Sequence, residues 1–220
     1  MTEQPAIFSL RLDHAIIHVT ASSVVRGTLY IRDGLITHAG AGEPSETEGT
    51  TRTIDVQGAS IVPLLVENGL RARAAGNEQS WDLVAGNAAT FAVTRQHVTA
   101  AQVRGTLMIA PDDLIAIIVD GEMIAWEGRP ATDTISTNPN MWTGTWVDRP
   151  HALAQHLLPE GRYTETRNGR ADAYTGLYWT RTNRIVYLDD SGFWAFGLQH
   201  HNTLYHAHFT MRRIQNGKQD

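Results

Sequence analysis

The chain has 220 residues, 42% of them hydrophobic and 19% charged, with a net charge of -5 and no cysteine, a balance that fits one large or two small globular domains. Without cysteine there are no disulfides, no thiolate nucleophile and no cysteine-ligated zinc, and the acidic balance argues against a nucleic-acid partner, which needs a basic surface. The single lysine, Lys218, stands in the C-terminal tail, so Schiff-base and pyridoxal phosphate chemistry, which need a well-held amine, are set aside as well.

In chain order the first segments read as short strands: SLRLDHAIIHVT, VVRGTLYIRDGLITHAG, TRTIDVQGASIVP, AATFAVTRQHV, VRGTLMIA and LIAIIVDGEMIAW are rich in Val, Ile, Leu and Thr. Two of them place Asp-Gly between apolar runs, at 33–34 and 120–121, the strongest short-range hairpin signal. Only NEQSWDLVAGN could hold a turn of helix. No apolar run approaches the roughly 18 residues of a membrane span, and MTEQPAIFSLRLDH shows no secretory pattern. A cytoplasmic protein with no membrane partner is the expectation.

A polar, proline-bearing stretch at 131–140 reads as a linker. It separates residues 1–130, expected as a β-sandwich, from residues 141–220, expected as an up-and-down barrel. The contents change across it: residues 141–220 hold 12 of the 17 Phe, Trp and Tyr residues and six of the ten histidines. Turn signals at LPEG, RNGR, TRTN, DDSG and HHN cut this part into strand lengths. The fold class is therefore all-β: an N-terminal sandwich followed by an eight-stranded barrel.

The stretch from Gly27 to Leu70, with Ile-Asp-x-x-Gly leading to Pro63, resembles the opening of the amidohydrolase superfamily, and LVAGNAATFAV with DDLIAIIVDGEMIAWEGRP resembles its closing segment. The resemblance implies the small accessory sandwich of those enzymes. Aligned on Pro63, however, Leu64 stands at the family's glycine, Glu67 at its aspartate, and Gly69 and Arg71 at its two metal histidines. Only ten residues separate Leu70 from Trp81, where a catalytic barrel needs about 250. No amidohydrolase chemistry, metal or other cofactor is expected.

In the second part, GRYTETRNGRADAYTGLYW, IVYLDDSGF and LYHAH resemble a family of small bacterial ligand-binding barrels, known from Agrobacterium, with a streptavidin-like fold. The resemblance implies a ligand cavity and no particular reaction. His208 stands where that family's pattern leads one to expect glycine.

Strand alternation puts Leu204, His206, His208 and Thr210 on one face of LYHAHFTMRR, with Tyr205, Ala207, Phe209 and Met211 on the other. Which face points inward stays open. His206 and Asp190 are the candidate catalytic acid and base, His206 because imidazole titrates near neutral pH. The bland alternatives are a hydrogen-bonded structural histidine and, for Asp189-Asp190-Ser191-Gly192, a simple turn. A metal held by His206 and His208 lacks a third ligand at diagnostic spacing.

Candidate ligand contacts are Trp142, Trp146, Tyr163, Tyr174, Trp179, Tyr187, Asp189, Phe193, Trp194 and His208. Large rings inside a small barrel serve equally as a plug. Arg162, Arg167 and Arg170 cluster near one turn, either solvated or as a carboxylate clamp.

Three readings follow: a small-molecule binding protein with an aromatic-rich pocket in the barrel, a cofactor-free cyclase, isomerase or lyase using the same pocket, and a scaffold of two β domains. The expected partners are a small organic ligand and, because sheet edges are left open, a second copy of the chain in a homodimer.

Overall fold

The computed structural model describes residues 9–20, 22–42, 51–64, 81–104, 107–131 and 139–214. The positions aligned above with the amidohydrolase ligands, Glu67, Gly69 and Arg71, lie outside them, as does most of the expected linker. The chain divides into two compact units. Residues up to Leu64, those between Gln79 and Val103, and Asp112–Ala131 form the first; the segment Arg104–Pro111, together with the chain beyond the linker, forms the second.

The first unit is one continuous sheet. Its strands are β1 (Ser9–His18), β2 (Val24–Arg32), β3 (Leu35–Gly40), β4 (Thr51–Asp55), β5 (Ser60–Pro63), β6 (Phe91–Thr94), β7 (Leu114–Val119), β8 (Glu122–Trp126) and β9 (Arg129–Pro130). They run in the order β3-β2-β1-β5-β6-β7-β8-β9, with β4 also pairing β1.

The sheet is mixed rather than purely antiparallel: β1 pairs in parallel with β4 through Ser9–Asp13 and with β5 through Ile16 and Ile17. A bulge between Leu12 and Ala15, with His14 at φ 56°, makes the switch possible and resets the alternation. Leu10, Leu12, Ala15 and Ile17 thus all reach one core, which they share with Leu29, Ile31, Ile61, Phe91, Val93 and Ile118.

VRGTLMIA does not form the strand expected of it. Val103 and Arg104 form the end of a short helix, α1 (Ala100–Arg104), opened by a capping box in which Gln102 N–H donates to Thr99 Oγ1 (3.3 Å) and Thr99 N–H to Gln102 Oε1 (2.9 Å).

Both Asp-Gly pairs make the expected hairpins. Asp33 and Gly34 have φ of 52° and 79°, Asp120 and Gly121 of 49° and 78°, the double positive φ of a type I′ turn. The two turns also meet: a Cβ on Gly121 would fall 2.1 Å from the Gly34 Cα. Gly121→Ala is therefore expected to destabilise the first unit by about 2–4 kcal/mol, adding a left-handed side chain to a backbone clash. Calorimetry would show it as a lowered first transition; an unchanged transition would mean that the two turns part without cost.

The second unit is the expected closed, eight-stranded antiparallel barrel. A single-turn helix, α2 (Pro139–Trp142), leads into β10 (Gly144–Asp148), β11 (Leu153–Leu157), β12 (Arg162–Arg167), β13 (Arg170–Arg181), β14 (Arg184–Asp189), β15 (Trp194–His200), β16 (Thr203–His206) and β17 (Phe209–Arg213). Each strand pairs with the next, and β17 closes on β10 through Trp146 opposite Arg213 and Val147 opposite Arg212.

Period-two burial sorts each strand into an inner and an outer face. Trp146, Leu153, Leu157, Tyr163, Tyr178, Ile185, Tyr187, Leu204 and Met211 share the interior core with Trp142. The α2 end is plugged: the Trp146 indole N–H donates to the Trp142 carbonyl at 2.8 Å, and Arg213 donates to the Thr143 carbonyl.

One further piece completes the barrel wall. Ile109, from the segment between α1 and β7, bridges to Trp194, with N–H to O distances of 3.0 and 2.9 Å in the two directions. β16 reaches along β15 only as far as Gly197, so this bridge satisfies backbone groups that β16 leaves open. Among the described residues no helix is long and apolar enough to cross a membrane.

Candidate functional site

The end of the barrel opposite α2 is open. There β12, β14 and β16 finish and β13, β15 and β17 begin, so alternate side chains from six strands converge. A cavity of about 160 Å³ lies between them, walled by Tyr163, Tyr174, Tyr187, Phe193 and Phe209, with Glu165, Arg167, Asp189, His206 and His208 as its polar groups and Met108 at its edge.

Buried polar side chains lock its floor. The Tyr187 hydroxyl donates to Gln155 Oε1 at 2.7 Å, and the Gln155 amide donates to Glu165 Oε2 at 3.3 Å. Glu165 Oε1 in turn accepts the Nε–H of Arg167. Gln155 is 0% and Glu165 2% exposed, so each needs these partners to offset its desolvation. The Arg167 guanidinium then lies over two rings, 4.6 Å from the centre of Tyr174 and 5.0 Å from that of Phe209.

His206 packs against Tyr187 with ring centroids 4.7 Å apart. Its Nδ1 lies 3.0 Å from the Phe196 carbonyl. A carbonyl only accepts, so Nδ1 carries the proton, and in the neutral ring Nε2 is a bare acceptor. Burial lowers its pKa below the ordinary 6.5, outweighing the Phe196 bond and the charge of Glu165, which favour protonation.

Beside the mouth, Asp148 is 3% exposed. It accepts from Thr210 N–H (2.9 Å) and His151 N–H (3.3 Å) and pairs with His151 Nδ1 at 2.9 Å. Burial pushes this carboxyl up, but those donors together hold it below its ordinary 3.8.

Both shifts give acid sensitivity. The unfolded chain binds a proton at His206 more readily than the folded one, so stability is full above pH 6.5 and falls as pH drops below it. The stabilisation from Asp148 holds above pH 3.8 and is lost below. Urea denaturation across pH 7 to 5 is expected to show a falling midpoint for the barrel that His206→Gln flattens. An equal fall in that variant would rule His206 out as the source.

The structure gathers Tyr163, Tyr174, Tyr187, Asp189, Phe193, His206 and His208 at one cavity and leaves other candidates apart. Asp190 does not line it: its carboxylate is gripped by Arg162 Nη2 at 3.0 and 2.8 Å and by the Thr175 hydroxyl, so it is not a partner for His206. Asp189 does reach the cavity, while its Oδ1 closes the turn by accepting from Ser191 N, Ser191 Oγ and Phe193 N. Trp142 and Trp146 belong to the plug at the other end. Trp179 and Trp194 stack on each other, 5.7 Å between ring centres, on the outer face of the wall.

His208 requires the sharpest correction. LYHAHFTMRR is not one strand: Ala207, at φ 52°, and His208 form the turn of the β16–β17 hairpin. His208 therefore lies at the rim, 5.8 Å from the ring of His151, and is not one strand step from His206. Among the described residues no group of three or more His, Asp or Glu side chains could hold a metal.

Residues that sequence reasoning missed are Gln155, Glu165, Phe209 and Met108. The alternation of Tyr163, Glu165 and Arg167 on one strand face was the available signal for Glu165; nothing local marks Met108, which arrives from a distant segment.

Comparison with known proteins meets the chain at this unit. Residues 139–213 match the family described as Agrobacterium tumefaciens protein Atu4866. The solution structure of that protein is 41% identical over 34% of this chain and 95% of its own, with a TM-score of 0.31. No curated protein matches. The matched residues begin at 139, and the amidohydrolase resemblance of the first unit gains no support. Through its barrel, the chain belongs to the family of Agrobacterium tumefaciens protein Atu4866.

Proposed function

We propose that the barrel binds a small organic molecule in its open mouth. The observation that carries this reading is the convergence of tyrosine and phenylalanine rings with a few fixed polar groups on one concavity, the usual build of a ligand site. At about 160 Å³ the cavity is close to one that holds a single benzene ring. The ligand is thus one ring in size, or larger with the remainder outside the mouth. The Tyr187–Gln155–Glu165–Arg167 chain supports the reading further, since it holds the polar contacts in place before a ligand arrives.

Native mass spectrometry of the protein from its own host, followed by release and identification of any bound molecule, tests the proposal. A stoichiometric organic molecule, lost in Tyr187→Ala and retained in a folded surface variant such as Arg170→Ala, supports it. An apo mass together with no binding from a library of one-ring compounds would count against it.

A second reading has one observation in its favour. His206 offers a neutral ring whose Nε2 can take a proton at the cavity, as a general base requires. In that case the protein is a cofactor-free isomerase, cyclase or lyase, and His206→Ala would lower turnover by about 10² or more while leaving ligand occupancy measurable.

A further inference from the structure

We propose, resting on the reading of the mouth as a ligand site, that its ligand is a one-ring carboxylic acid whose carboxylate sits on the Nη edge of Arg167. Three features of Arg167 point this way. Its Nε–H is held by Glu165, which is buried and itself tied to Gln155, so the arginine is anchored at its inner edge.

Its guanidinium lies over the rings of Tyr174 and Phe209, 4.6 and 5.0 Å from their centres, which places it at the mouth. With Nε–H on Glu165, the Nη edge is left, and among the described residues no hydrogen bond engages its Nη groups. A planar fork presented in this way matches the two oxygens of a carboxylate.

The surrounding charges fix the direction of entry. Glu165 engages Arg167 only at Nε and gives its other oxygen to Gln155, and Asp189 Oδ1 is taken by three donors of its own turn, so no hydrogen bond from either carboxylate reaches the Nη edge. Deeper in, burial and then the charges of Asp189 and Glu165 raise the Tyr163 hydroxyl above its ordinary acidity range. That region disfavours a second anion. It accepts instead an uncharged ring, lying among Tyr163, Tyr187 and Phe193 with its acid group outward at Arg167. A ring substituent with an N–H or O–H would find the bare Nε2 of His206.

Benzoate, benzamide and benzylamine, three probes of one size that differ in charge, test this by titration into the full-length, isotope-labelled protein with amide shifts as readout. The expected result is binding at the mouth in the order benzoate, benzamide, benzylamine, with benzoate about tenfold tighter than benzamide, as a charge-assisted bidentate pair implies. Arg167→Gln should erase that preference while leaving benzamide affinity within about twofold, and Arg167→Lys should restore it only in part. Benzamide matching benzoate, or benzylamine binding best, would overturn the carboxylate assignment and leave the mouth as a ligand site. Failure of all three to bind would overturn both.

Discussion

Trp146→Ala is expected to lower the stability of the barrel by about 3–5 kcal/mol, the range for deleting a large buried aromatic side chain. Trp146 is 0% exposed, bonds the Trp142 carbonyl through its indole, and stands where β17 closes on β10. Its loss removes the plug and weakens the seam together. A domain stable by roughly 5–15 kcal/mol would keep little margin. Guanidinium denaturation monitored on barrel resonances checks the value. A loss below about 1 kcal/mol would show that the interior collapses around the gap.

Glu165→Leu has the largest expected effect at the site. The substitution removes the acceptor of the fully buried Gln155 amide, at a cost of about 1–3 kcal/mol for an unsatisfied buried group, and frees Arg167 from its inner anchor. The Nε–H resonance of Arg167, expected to be protected from solvent exchange in the native protein, should lose that protection. Arginine-dependent selectivity among ring compounds should go with it. Glu165→Gln keeps one acceptor oxygen and is expected to lie between the two. Unchanged protection in Glu165→Leu would show that the stacking rings alone hold the guanidinium.

Much of this architecture is legible in the sequence, and what is missing has specific causes. Asn168-Gly169 and the two Asp-Gly pairs announce their hairpins because Gly and its partner adopt positive φ readily. Ala207-His208 forms a two-residue hairpin turn without Gly, Asn or Pro, and so reads as uninterrupted strand. That one unmarked turn misplaced His208. The Trp-x-Gly-x-Trp stretch reads as two rings on one strand face, yet Trp142 ends a helix and lends its carbonyl to Trp146. The inner side of each strand was undecidable because β14 and β15 carry apolar residues on both faces: Val186 and Phe196 are buried outside, as Ile185 and Tyr187 are within. The outer burial of Trp194 depends on Ile109, about 85 residues away in the chain, a distance over which local pattern carries no information.

The Ile109–Trp194 bridge has a consequence for what counts as the unit of inheritance. Kinship with the Agrobacterium protein begins at residue 139, but the folded body that contains the kindred strands also includes part of 104–111. A gene fragment cut at the edge of the resemblance would encode every barrel strand and still leave Trp194 with two unanswered backbone groups and a bare face. The border of the family match and the border of the compact unit therefore run through different residues of this chain.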